Sequence, residues 1–180
     1  MRYPDTSFMK RTFDLAERRL GFKRGENSEM IPYIRGDDDA YLCYNGIAVT
    51  KKDYNAGSAA KKDVFNASQS KGGDVPDPYV ADGPGKFWDV YLDELRQLFV
   101  KFPFDVAFKM LKEFDGHTVT SYLTFVKLLP YAVIKWYETM ESRTGLFDAS
   151  LVETVLASLV FNDPRYKDKT INWVCFKYVV

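Results

Sequence analysis

The chain has 180 residues, of which 46% are hydrophobic and 16% aromatic, a composition that excludes a disordered polypeptide and permits a real core. Lys plus Arg equals Asp plus Glu at 25 each, so the net charge is zero and the excess positive charge of a general nucleic-acid binder is missing. Two cysteines without a C-x-x-C pair and a single histidine leave no Cys/His zinc site, and the expectation is two free thiols with no metal. No apolar run resembles a signal peptide or reaches the roughly 20 residues needed to span a bilayer, so no membrane contact is expected and the compartment stays open.

The first predicted helix follows Pro4, with Asp5, Thr6 or Ser7 as its cap. Met9, Phe13, Ala16 and Leu20 recur at helical spacing and mark its apolar face, and Gly21 supplies the left-handed residue that ends it. Arg11, Glu17, Arg18 and Arg19 form the solvated side. Residues 31–34 are a short strand candidate. Tyr41-Leu42-Cys43-Tyr44 and Ile47-Ala48-Val49-Thr50 flank Asn45-Gly46, a strong hairpin signal because both turn residues must take positive φ. Residues 51–85 are rich in Lys, Asp, Gly, Ser and Pro, with few apolar anchors such as Val64 and Phe65. They read as a surface loop with one short helix near residues 59–65.

From Lys86 the pattern is helical. Phe87, Tyr91, Leu95 and Leu98 mark a first helix, which Pro103 breaks or restarts. Val106, Met110, Leu111 and Phe114 continue it, and Asp115-Gly116 ends that piece. Thr118 or Thr120 caps the next, which carries Val119, Tyr122, Leu123 and Val126. Pro130 suits the first turn of another helix with Val133, Ile134, Tyr137 and Met140 inward. Ser150 and Glu153 have capping-box spacing ahead of Val152, Val155, Leu156 and Leu159. Residues 171–180 are rich in β-formers and predict a terminal strand.

The chemical motifs are sparse. Gly83-Pro84-Gly85-Lys86 puts Trp88 where a dinucleotide fingerprint needs its third glycine, and neither a P-loop nor a G-x-S-x-G elbow occurs. His117 reads as a surface histidine in a turn. The aromatic stripes of Phe87, Tyr91, Trp136 and Tyr137 read as core. The adjacent carboxylates Asp93-Glu94 and Asp38-Asp39 face different ways and make no acid–base pair. Residue by residue, the chain is an α+β domain, predominantly α, with a small β hairpin or sheet element.

Two stretches resemble the flavin-dependent L-amino-acid oxidases of the amine-oxidase group, the fungal ones in particular. Met1-Arg2-Tyr3-Pro4 ahead of a helix is similar to that family's small-residue-Met-Arg-aromatic-Pro motif. The second stretch runs through residues 112–123, 134–147, 150–153 and 158–161, and is similar to the helical lobe that borders the route to the flavin. The resemblance covers most of residues 1–23 and 86–176. It implies oxidative deamination of L-amino acids to keto acids, ammonia and hydrogen peroxide. In it Met1 and Arg2 lie against FAD and Arg2 grips the substrate carboxylate. A bidentate, charge-assisted pair there orients the α-hydrogen toward the flavin ring.

Residue pattern and resemblance together give a layout: a substrate-domain segment at 1–50, a loop or linker at 51–85 that the resemblance does not cover, a helical domain at 86–165 and a terminal strand at 166–180. The dinucleotide fold that holds FAD is not in these residues. The expectation is a chain without bound FAD and without activity by itself, whose partner is a missing FAD-binding chain or a second copy. The alternatives are one chain of a split oxidase, or a non-catalytic helical interaction module.

Overall fold

The computed structural model describes residues 2–6, 9–25, 27–33, 38–56, 63–141, 145–161 and 172–176. The element order is β1 (Arg2–Pro4), α1 (Lys10–Arg19), β2 (Met30–Pro32), β3 (Tyr41–Tyr44), β4 (Ile47–Thr50), α2 (Lys51–Asn55), α3 (Asp77–Asp82), α4 (Asp93–Lys101), α5 (Phe104–Leu111), α6 (Val119–Phe125), α7 (Tyr131–Met140), α8 (Leu151–Phe161) and β5 (Trp173–Phe176). The class is α+β, predominantly α. The chain divides into two compact units, residues 1–37 with 159–180 and residues 38–158.

In the smaller unit β5 is the central strand of an antiparallel sheet ordered β1-β5-β2. Arg2 pairs with Cys175, Tyr3 with Val174 and Pro4 with Trp173, while Met30, Ile31 and Pro32 pair with Phe176, Cys175 and Val174. The Asp5 amide extends the first ladder by donating to the Asn172 carbonyl at 2.8 Å. Residues 2–4 are therefore a paired strand. Phe13, Ala16, Met30 and Val174 are buried, and Tyr3, Met9, Phe22 and Phe176 pack around them. Burial of each such large side chain contributes roughly 1.5–3 kcal/mol.

The start of α1 differs from expectation. Met9 stands at its N-cap without a side-chain bond. Asp5 is instead drawn to Arg24, which donates to it at 2.7 Å and to Glu17 at 2.7 Å, with its guanidinium 4.6 Å over the Phe13 ring. Ser7 lies outside the described residues. Gly21 does end the helix at φ 69°, where the Phe22 amide returns to the Ala16 carbonyl. Leu20, grouped with the apolar face by spacing, is exposed. The strand candidate at 31–34 forms as β2, one residue earlier, and Ile34 lies outside the described residues.

In the larger unit β3 and β4 form the expected hairpin, with Asn45 at φ 52° and Gly46 at φ 74°. Thr50 caps α2 by accepting from the Asp53 amide at 3.1 Å. The stretch from residue 63 to 85 is more ordered than its composition suggests. The Asp63 carboxylate accepts from the Ala67 and Ser68 amides, and α3 follows at Asp77. Phe65, Ala67, Val75 and Val80 are all buried. Residues 59–62 of the short helix expected there lie outside the described residues.

The helical part closes around Phe87, Leu92, Leu111, Tyr122, Tyr137 and Phe147, each fully buried. The first helix predicted after Lys86 splits in two: residues 87–91 form a π-helical turn and α4 begins at Asp93. Pro103 restarts the chain into α5 as expected, but Val106 and Met110 face solvent while Ala107 and Leu111 are buried. Thr118 caps α6 with a full capping box through Ser121. Pro130 stands just before α7. At α8, the Glu153 amide donates to Ser150 Oγ at 3.4 Å.

Candidate functional site

The sequence-predicted site consists of Met1 and Arg2. Met1 lies outside the described residues, and only the backbone of Arg2 is described. That backbone is held in β1 opposite Cys175. Tyr3, the next residue, packs into the apolar cluster with its ring 5.5 Å from that of Phe176. β1 is also a sheet edge among the described strands, which leaves the outer rim of its backbone outside the ladder.

In the larger unit two carboxylates, the exposed Glu94 and the buried Glu138, tie separate segments together. The Tyr122 hydroxyl donates to Glu94 at 2.6 Å, and Lys127 pairs with the same carboxylate oxygen. Burial pushes the Glu94 carboxyl up, but the Lys127 and Tyr122 hydrogen bonds outweigh it and hold the group below the ordinary glutamate value. Burial, then the Glu94 contact, pushes the Tyr122 hydroxyl well above the ordinary tyrosine value, so it stays protonated and donates.

Glu138 is 3% exposed and accepts from Lys135 at 2.8 Å, the Gly145 amide at 2.7 Å and the Phe147 amide at 3.3 Å. This carboxylate fastens the turn that places Phe147 against Phe87, whose ring centroids are 4.6 Å apart. His117 Nδ1 lies 3.2 Å from Ser121 Oγ in the turn before α6 and serves the cap rather than a catalytic triad. Among the described residues no group of three His, Cys, Asp or Glu side chains could hold a metal ion, and no helix is long and apolar enough to cross a membrane. Cys43 and Cys175 are free.

One feature of this unit escaped sequence reasoning. A groove of about 670 Å³ runs along α7, walled by Tyr44, Phe65, Asp74, Tyr131, Lys135 and Trp136 among others. Trp136 was expected in the core with Tyr137. Tyr137 is fully buried, whereas Trp136 is half-buried and lines the groove. A second helical stripe was legible, since Ala132, Lys135, Trp136 and Thr139 recur at i, i+3, i+4 and i+7 beside the core stripe.

No family model matches the chain. It is 28% identical over 168 residues to a Dictyostelium discoideum protein named, by inference, a bifunctional amine oxidase. The match covers 87% of this chain and 15% of that protein's length. It supports an amine-oxidase-like relationship for the chain.

Proposed function

We infer that this chain is a substrate-domain and helical-lobe segment of a flavin-dependent oxidase of L-amino acids. The observation that carries the reading is the match to an amine-oxidase-like protein along most of the chain. The family resemblance of Met1-Arg2-Tyr3-Pro4 supplies the finer specificity. In this reading FAD, when bound, would supply the acceptor for a hydride from the substrate's α-carbon. The chain's own part is to bind and orient. Arg2 grips the carboxylate with two parallel N–H donors, and the β1–β5 ladder keeps that residue in register. Preorganisation of this kind lowers the entropic cost of reaching the reactive geometry.

Exposed Val100, Phe102, Phe104 and Val106 at the α4–α5 corner favour a second reading, a helical interaction module that docks against other protein. The two readings separate on one assay. The whole gene product, purified and tested with L-amino acids, releases hydrogen peroxide with bound flavin under the first reading. Absence of both flavin and peroxide leaves the second.

A further inference from the structure

We propose that the Asn45-Gly46 turn is a site of spontaneous deamidation, and that loss of ammonia from Asn45 releases the β3–β4 hairpin from the Phe65 segment. The inference does not rest on the oxidase reading, because it uses only residues of the larger unit and neither Met1 nor Arg2. The reaction needs no partner but water. The Gly46 backbone nitrogen attacks Asn45 Cγ, and the new C–N bond closes a cyclic succinimide. The carboxamide nitrogen leaves as ammonia, carrying the proton that the Gly46 amide gives up. Water then opens the ring at either carbonyl. One opening gives aspartate in the original chain path. The other gives isoaspartate, with the side-chain methylene drawn into the backbone. Nothing is oxidised or reduced.

The turn is open to this chemistry where the other asparagines are not. Those precede Ser28, Ala56, Ala67, Asp163 and Trp173, whose side chains crowd the attacking amide, whereas Asn45 precedes a glycine. A Cβ at Gly46 would meet nothing within 4 Å, so the space beside the attacking nitrogen is clear. Both residues are exposed, which admits water. The Gly46 amide donates no hydrogen bond among the described residues, so its nitrogen is not held elsewhere. One hydrogen bond restrains the reacting group: Asn45 Nδ2 donates to the Phe65 carbonyl at 2.9 Å. The ring closes only after that bond opens and the positive-φ turn relaxes, so the folded chain reacts more slowly than the unfolded one.

The same bond gives the change its consequence. Phe65 is buried, and the hairpin and α2 grip its ring: Tyr44 lies edge-on at 5.0 Å and Tyr54 stacks at 5.8 Å. Asn45 adds the polar half of this attachment, and the Phe65 carbonyl takes no backbone donor among the described residues. Aspartate at position 45 has no proton to donate at neutral pH and sets a negative charge against that carbonyl oxygen. Isoaspartate goes further, because its extra backbone carbon does not fit a two-residue hairpin turn. Tyr44, Asn45 and Phe65 also line the groove along α7, so the modification alters its wall.

The test incubates the folded 180-residue chain in warm, mildly alkaline buffer and follows every asparagine by peptide mass spectrometry. A protein-isoaspartate methyltransferase counts the isoaspartate separately. The proposal expects conversion at Asn45 to exceed that at any other asparagine by roughly tenfold or more, with isoaspartate among the products. Gly46→Ala strains the turn, so it is compared with the native sequence in denaturant, where conversion at Asn45 should fall by a similar factor. The consequence is read on two variants: Asn45→Asp, which is one product, and Asn45→Gly, which keeps the positive φ but has no donor. Each should melt about 2–4 °C below the native chain, the shift expected for one lost hydrogen bond in a chain of this size. Faster conversion at another asparagine, no conversion at Asn45 in the folded chain, or an Asn45→Asp variant as stable as the native chain would each overturn the proposal.

Discussion

Tyr122 on α6 donates a 2.6 Å hydrogen bond to Glu94 on α4, 28 residues earlier in the sequence, and so joins the two helices. Lys127 holds the same carboxylate from the end of α6, and its ammonium lies 5.5 Å from the Tyr122 ring centre. A tyrosine buried in an apolar core needs such a partner, because an unpaired hydroxyl there costs about 1–3 kcal/mol. Tyr122→Phe removes hydroxyl and need together while keeping the ring. The expected loss is about 1 kcal/mol, read as a lower denaturation midpoint with an unchanged slope.

The same pair sets a pH dependence. Glu94 titrates below the ordinary glutamate range in the folded chain, so its stabilisation is fully present above that range. It is lost as pH falls through the lowered folded value. Glu138 is shifted the same way: burial opposes the shift, and the Lys135, Gly145 and Phe147 contacts exceed it. Unfolding free energy should therefore fall on the acid side of the ordinary carboxylate range. Glu94→Gln should flatten that fall, as measured by denaturation at a series of pH values.

Glu138→Ala is expected to be the more damaging of the carboxylate changes. It strips the Gly145 and Phe147 amides of their acceptor and leaves Lys135 without its ion-pair partner. The cost should be about 2–4 kcal/mol, while Glu138→Gln, which keeps an acceptor oxygen, should cost less. Near-ultraviolet circular dichroism reports the accompanying loss of Phe147 order against Phe87.

Gly73→Ala should destabilise by at least about 2 kcal/mol, because the added methyl meets backbone atoms of Ala67 and Asn66 that cannot move aside singly. A thermal melt of the variant measures it. An unchanged melting temperature would show that the loop from Ser68 to Val75 has slack that its hydrogen bonds do not suggest.

What sequence made legible was local. Asn45-Gly46, Thr118 and Pro103 each act within a few residues, by turn geometry, capping or a missing amide, and each does so in the folded chain. What it hid was non-local. Nothing in residues 172–176 states that they sit between β1 and β2, since strand order is decided by packing over Phe13 and Met30. Asp5 has the chemistry of a cap, yet Arg24, 19 residues away, competes successfully for its carboxylate. Ala67, Val75 and Val80 enter the core from a segment with no helical or strand period, so pattern reading passed over them. The groove was missed for a related reason. Trp136 and Tyr137 are adjacent on a helix and point to different faces, and hydrophobicity alone does not separate them.

The measurement that tests the functional reading most directly is the effect of Arg2→Met on oxidation of L-amino acids by the whole flavin-loaded gene product. If Arg2 grips the substrate carboxylate, kcat/KM should fall by roughly a hundredfold or more, the scale of a lost bidentate charge-assisted contact, with circular dichroism unchanged. An unchanged kcat/KM for L-amino acids, in a protein that holds its flavin, would contradict it.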